Sequence, residues 1–357
     1  MRAQVHDSRP FVCVLAIVVA VVLAPPAAWA DRARTPSSAA TLQQPRTGVM
    51  IDGSSTVYPI SRAMASEFRE TIVSMGRDVS VTVSFAGTGG GFRRFCAGET
   101  DISNASRPIS RTEIDACAAA GIRFVELPIA IDGLSVVVHP SNSFVDSLKV
   151  SELRRMWEPA AQGTITRWSQ IRPEWPDRPF RLFGPGGDSG TFDYFTDAIN
   201  GRERASRSDY LGSEDDEVLV QAVAADPDGL AYFGYANYAA NAANLTIVPI
   251  DAEQGRGPVR PSVDTILDGL YAPLARPLFI YVNVAELERR EVHEFVRFSL
   301  NADEANEIIR TVGYLPLPTL YYQLGRERLD ARQVGTVFRG QQAHGMKLEE
   351  LFATTPE

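Results

Sequence analysis

The chain has 357 residues, room for two domains of ordinary size and an export segment. Hydrophobic residues make up 45% and charged residues 22%, the balance of a globular protein with a sizeable core rather than a disulfide-dense scaffold. The formal charge is −9, which excludes the broad basic surface that nucleic-acid binding requires.

The first thirty residues stand apart. Arg2 and Arg9 open them, Phe11 to Leu23 is an unbroken apolar run, and Ala28-Trp29-Ala30 closes them as an A-x-A site. This is the pattern of a secretory signal, with cleavage expected after about Ala30 and a periplasmic destination. The run is short for a membrane span, and Cys13 sits inside it rather than at the cleavage point, which argues against lipid attachment. Without Arg2, Arg9 and Asp7, the 35 basic and 44 acidic residues become 33 and 43, a formal charge of −10. Residues 31–47 are polar, rich in Pro and Ser and without periodicity, and read as a flexible lead.

From Val49 onward short strands alternate with helices. Val79, Val81, Val83 and Phe85 alternate with Ser80, Thr82 and Ser84, a half-buried strand. Gly133 to His139 and Leu278 to Val282 are apolar enough for buried strands, and Ser151 to Trp157 and Phe192 to Ile199 have helical patterns. Such alternation predicts an α/β fold. Leu127 to Asp132 and Leu270 to Pro277 are the places where the chain would cross between two lobes. Lobe I is then 48–134 plus 276–357, and lobe II is 135–275. No internal repeat is visible.

Cys96 and Cys117 are the cysteines left after export, a disulfide candidate whose alternative is two buried thiols. With His139 and His293 they make no zinc spacing, and neither metal nor cofactor is expected. Trp157, Trp168 and Trp175, and Tyr232, Tyr235 and Tyr238, are assigned to packing. The acidic run Glu214 to Glu217 reads as a solvated helix start.

The informative signal is a repeated design. Four times, Ser, Thr or Gly residues follow a predicted strand and open a predicted helix, where unpaired N–H groups and the helix dipole favour an anion. The first is Asp52-Gly53-Ser54-Ser55-Thr56-Val57-Tyr58-Pro59, with Pro59 suited to a first helical turn. Taken alone, it is better explained as an ordinary N-cap. The second is Gly87-Thr88-Gly89-Gly90-Gly91-Phe92, whose glycines allow close backbone approach. It has no following Lys, so a nucleotide P-loop is poorly supported. The third runs from Asp101 to Ile109 and offers the Ser106 hydroxyl and the Arg107 fork. The fourth is Gly184-Pro185-Gly186-Gly187-Asp188-Ser189-Gly190-Thr191. It resembles a nucleophile elbow, but Thr191 stands where the second Gly belongs. Net negative charge is no obstacle to an anion site, because distant surface charge is screened.

These four motifs, in this order, resemble the PstS family, the phosphate-binding proteins of bacterial phosphate ABC transporters. The longer segment KVSELRRMWEPAAQGTITRW is most similar to the cyanobacterial-type branch. The resemblance runs from about Val49 to Pro318. It implies a two-lobed periplasmic binding protein of type II, the Venus-flytrap architecture, each lobe a mixed sheet flanked by helices. It implies a monomer that binds inorganic phosphate, closes, and is recognised by the permease subunits. Carried over by motif, the contacts fall on Ser54, Ser55, Thr56, Thr88, Gly89, Ser106, Arg107, Ser189, Gly190 and Thr191. Many members have Asp where Arg107 stands and Arg where Pro185 stands, so the arginine has changed lobes here. The acceptor for the phosphate proton is then reassigned, to Asp188 first and Asp52 second. A buried carboxylate there would accept from protonated phosphate and repel sulfate. The alternatives are another tetrahedral oxyanion such as sulfate, a secreted phosphatase using Ser189, or a signalling module on the same fold.

Overall fold

The structure, a computed structural model, describes residues 47–187, 189–213, 215–340 and 348–352. The expected signal, nearly all of the expected lead, and the candidate Asp188 lie outside the described residues. Strand β1 (Val49–Gly53) leads into helix α1 (Tyr58–Ser74), then β2 (Val81–Val83), α2 (Thr88–Cys96), β3 (Ile102–Ala105), α3 (Arg111–Ala119) and the long β4 (Phe124–Val138). There follow β5 (Leu148–Lys149), α4 (Val150–Trp157), β6 (Arg181–Pro185), α5 (Gly190–Asn200), β7 (Leu211–Ser213), α6 (Asp216–Ala224), β8 (Gly229–Gly234) and α7 (Tyr235–Ala240). The chain continues through β9 (Thr246–Ile247), β10 (Ile250–Asp251), α8 (Val263–Leu267) and β11 (Ala275–Asn283). It goes on through α9 (Arg290–Ser299), α10 (Ala302–Thr311), β12 (Leu315–Pro316) and α11 (Thr319–Asp330).

The main sheet has the order β2-β1-β3-β11-β4-β8-β6-β7. It is mixed: β1 is parallel to β2 and β3, β11 is antiparallel to β3 and β4, and β8 is antiparallel to β4 but parallel to β6. Strand β4 belongs to both halves. It pairs with β11 from Phe124 to Gly133, then with β8 from Leu134 to Val138. Antiparallel β11 carries the chain back into the first half, where α9 and α10 pack on α1 and α11 packs on β4.

The sequence placed a strand at Gly133 to His139, but β4 starts nine residues earlier. The sequence reading made Leu127 to Asp132 a crossing between lobes. In the structure every residue of β4 is buried. Glu126 accepts from the Tyr281 hydroxyl at 2.7 Å. Pro128 lacks a ladder N–H, and the register of the β4–β11 pair shifts beside it, opposite Leu278/Phe279.

Helix α1 buries Ile60, Met64, Phe68 and Ile72, spaced four apart on one stripe, and Phe68 meets Phe295 and Phe298 edge-on or tilted. In the second half Trp157 packs against Phe195, Tyr210 and Tyr232, and Trp168 against Phe144, Trp175 and Phe180. The tryptophans therefore pack, as the sequence predicted. Cys96 at the end of α2 is bonded to Cys117 in α3. The predicted strand from Val79 to Phe85 is shorter than its alternation, because Phe85 leaves the sheet and is exposed against Tyr58. Among the described residues no helix is long and apolar enough to cross a membrane.

Candidate functional site

The first turn is built against the end of β3. Gly53 has φ +140°, and a Cβ there would overlap the Asn104 backbone. Ser54 N donates to Asn104 O at 2.9 Å. The N-cap of α1 is Val57, with no side-chain cap, so the hydroxyls of residues 54–56 are not explained as ordinary capping groups. Ser55 Oγ instead donates to Asp193 Oδ2 at 2.9 Å, and Thr56 Oγ1 donates to Gly190 O at 3.0 Å. Both acceptors lie on α5, in the other half of the sheet.

The triple-glycine turn docks on the same place. Gly87, with φ +74°, caps α2 at its start, and Gly91 lies so close to Gly53 that a methyl group would overlap the Gly53 Cα. Thr88 Oγ1 and Ser106 Oγ are 3.1 Å apart, and Ser106 N donates to Thr88 Oγ1 at 3.3 Å. Gly89 lies against the Arg107 guanidinium.

The third turn differs from its reading as a helix start. Ser106 and Arg107 follow β3, but α3 begins at Arg111 and is capped by Ser110, with Glu113 completing a capping box. Glu113 also captures Arg107: Nη1 donates to Oε2 at 2.9 Å and Nη2 to Oε1 at 2.8 Å. Burial works to raise the Glu113 pKa. The hydrogen bonds from Arg107 and Ser110 outweigh it and hold the carboxyl below its ordinary value. Arg107 remains partly exposed and reaches the site as half of an ion pair rather than as a free cation.

In the fourth turn Ser189 caps α5, accepting from Thr191 N at 3.1 Å. Gly190 is pressed onto Thr56, where an added Cβ would overlap Thr56 Cα and N. The first and fourth turns therefore touch, the second and third touch, and Gly53 links the two pairs. The remaining proton-acceptor candidate, Asp52, is buried but engaged: Oδ1 accepts from Gly53 N at 2.7 Å, and Oδ2 is paired with Arg94. A separate groove of about 520 Å³ between α1 and α10 is lined by Glu67, Glu304 and Glu307, which would repel an anion.

Sequence reasoning missed Arg276, Asp132, Asp193 and Glu113. Arg276 Nη2 donates to Thr56 Oγ1 at 3.0 Å. Glu203, after α5, lies near enough to Arg107 and Arg276 to feel both charges. A signal did exist for Arg276 and Asp132: one charge in each predicted crossing, of opposite sign.

A mixed sheet in two halves, with hydroxyl-bearing turns and helix starts meeting where the halves join, is the architecture of a two-lobed solute-binding protein. Residues 35–303 match the family model described as a PBP superfamily domain. Protein SphX of Synechocystis sp. is 49% identical over 88% of this chain and 91% of its own length. The phosphate-binding protein PstS of Staphylococcus saprophyticus is 34% identical over 78% of this chain and 83% of its own length. The chain belongs to the PstS family of the PBP superfamily. Among solved structures, a possible phosphate binding protein from Planctomyces limnophilus superposes with a TM-score of 0.75 at 43% identity, covering 80% of this chain and 98% of that one. An ABC-type phosphate transport receptor from Vibrio cholerae, at 20% identity and a TM-score of 0.58, shares the fold.

Proposed function

We propose that this protein is an extracytoplasmic receptor for inorganic phosphate that closes its lobes on the anion, leaves it chemically unchanged and delivers it to an ABC permease. The observation that carries the proposal is the contact of Ser55 and Thr56 with α5, beside the meeting of Thr88 with Ser106. Hydroxyls and helix starts from both halves of the sheet come together at one place. Such groups replace the hydration shell of a small anion without a bulk counter-charge.

The contacts we assign are Ser54, Ser55, Thr56, Thr88, Gly89, Ser106, Arg107, Ser189, Gly190 and Thr191. Asp188 keeps the role of proton acceptor by its place beside Ser189, and the engagement of Asp52 by Arg94 favours that choice. Lobe I is placed at 48–134 plus 276–357 and lobe II at 135–275. The change of partner along β4 at Gly133/Leu134 supports the division. We further propose removal of the signal after about Ala30, release into the periplasm and function as a monomer without nucleic acid.

The family is one of solute-binding proteins, and the site gives little support to a phosphatase. Ser189 is occupied as a helix cap. His139 Nδ1 is bonded to Ser141, and His293 lies beside Asp330. Neither stands as a base for the serine, which a nucleophile requires.

Isothermal titration of the purified protein with phosphate and with sulfate tests the proposal. Saturable one-to-one phosphate binding, at least roughly 100-fold tighter than sulfate, is expected for a site that rejects an unpaired buried charge. No phosphate binding at millimolar concentration refutes the function, and equal affinity for sulfate refutes the selectivity.

A further inference from the structure

The two strands that join the halves of the sheet carry a charged pair. Arg276 on β11 stands in register opposite Asp132 on β4. Their side chains are 11% and 2% exposed, and Arg276 Nε lies 3.6 Å from Asp132 Oδ2. That is an ion-pair distance but too long for a hydrogen bond. Neither atom has a hydrogen-bond partner among the described residues. Buried polar atoms of this kind call for an explanation.

The rest of the guanidinium points to where the ligand would be. It lies over the Tyr194 ring of α5, 3.5 Å from the centroid, and Nη2 donates to Thr56 Oγ1. Tyr194 is itself fixed by its hydroxyl donating to Pro273 O at 2.6 Å. One cation thus contacts the connecting strands, helix α5 of the second half, and the turn that meets Gly190. The other cleft arginine, Arg107, already has both terminal nitrogens on Glu113. Of the two guanidiniums, Arg276 has the donors to offer.

We propose that Arg276 is the principal cationic ligand of the bound anion, reaching it from the connecting strand, and that Asp132 and Tyr194 position its fork. The inference rests on the anion-receptor reading and deepens it. It explains how a chain with Pro185 at the end of β6 supplies a guanidinium at the junction of the two halves. It also ties ligand charge to the strands about which the lobes move.

The test compares phosphate titrations of the parent, R276K and R276Q, with thermal unfolding of each in the absence of phosphate. R276Q is expected to weaken phosphate roughly 10- to 150-fold, the range for losing a hydrogen bond to a charged group. R276K should fall between it and the parent, because a point charge does not replace the fork. R276Q leaves Asp132 buried without its partner, so the double variant R276Q/D132N is made as well. It removes both charges together and should melt close to the parent while showing the same loss of affinity. Unchanged phosphate affinity in R276Q or in the double variant overturns the inference and leaves the receptor reading standing. A parent protein that binds no phosphate overturns both.

Discussion

Gly190 is where the contact between the two halves can be broken with one methyl group. It is the first residue of α5, and a Cβ there would overlap Thr56 Cα, N and Oγ1. These atoms belong to the other half of the sheet, and two of them are backbone. No rotamer change relieves the clash, so the halves must separate. Overpacking of this sort costs roughly 1–3 kcal/mol, and the penalty falls on the closed form alone. In an open form the alanine meets no obstacle and is the better helix former, by up to about 1 kcal/mol. Gly190→Ala should therefore leave thermal stability without phosphate unchanged or slightly raised. Phosphate affinity should fall by a factor of roughly 5 to 150. The stabilisation by ligand, about 2.7 kcal/mol at a hundred times the dissociation constant, should shrink accordingly when both proteins are compared at one phosphate concentration. Titration calorimetry and thermal unfolding measure the two quantities separately. Gly187→Ala is the control, since a Cβ at Gly187 meets nothing within 4 Å. Parent-like phosphate affinity in Gly190→Ala would refute the argument that closure brings Thr56 onto this helix start.

Three further predictions follow from buried or cross-linked groups. Replacing both Cys96 and Cys117 by Ser opens a link spanning 21 positions and should lower unfolding stability by about 3 kcal/mol, read by chemical denaturation. Burial drives the Asp132 pKa up to about 6 despite the neighbouring Arg276 charge. Its stabilising contribution is therefore complete below the unfolded value near 3.9 and is lost as pH rises through about 6. The stability difference between parent and Asp132→Asn should shift against the parent by about 3 kcal/mol across that window, and a flat difference would contradict the assignment. Glu113 has the opposite sign, with its pKa held down by Arg107 and Ser110 against the effect of burial. The parent's advantage over Glu113→Gln should be full above about pH 5 and disappear on acidification below the ordinary carboxylate range.

The parts of the fold and site that were legible in the sequence are those set by local chemistry. Pro59 and the stripe of Ile60, Met64 and Phe68 mark α1, and the glycines before Phe92 mark a turn that approaches another backbone. What local pattern could not tell was which polar groups remain available. Ser54, Ser55, Thr56 and Ser189 look alike as capping residues, yet Ser189 caps its helix and the first three do not. Arg107 looked free, although Ser110 and Glu113 form a recognisable capping box whose carboxylate also reaches back to the guanidinium.

The misreading of β4 has the same origin. Glu126, Pro128 and Asp132 are poor strand residues by propensity, and the sequence reading made Leu127 to Asp132 a crossing. Tertiary partners override that propensity: Tyr281 satisfies Glu126, and the register shift accommodates Pro128. The segment is a crossing and a strand at once, because β4 passes from one half of the sheet to the other without interruption. A strand that continues through a hinge places its side chains at the junction in fixed register. A charge there must be matched by its neighbour on the returning strand, or it stays buried and unpaired. That requirement selects Arg276 for Asp132 once β11 is known to lie antiparallel beside β4, and nothing within either segment alone could have selected it.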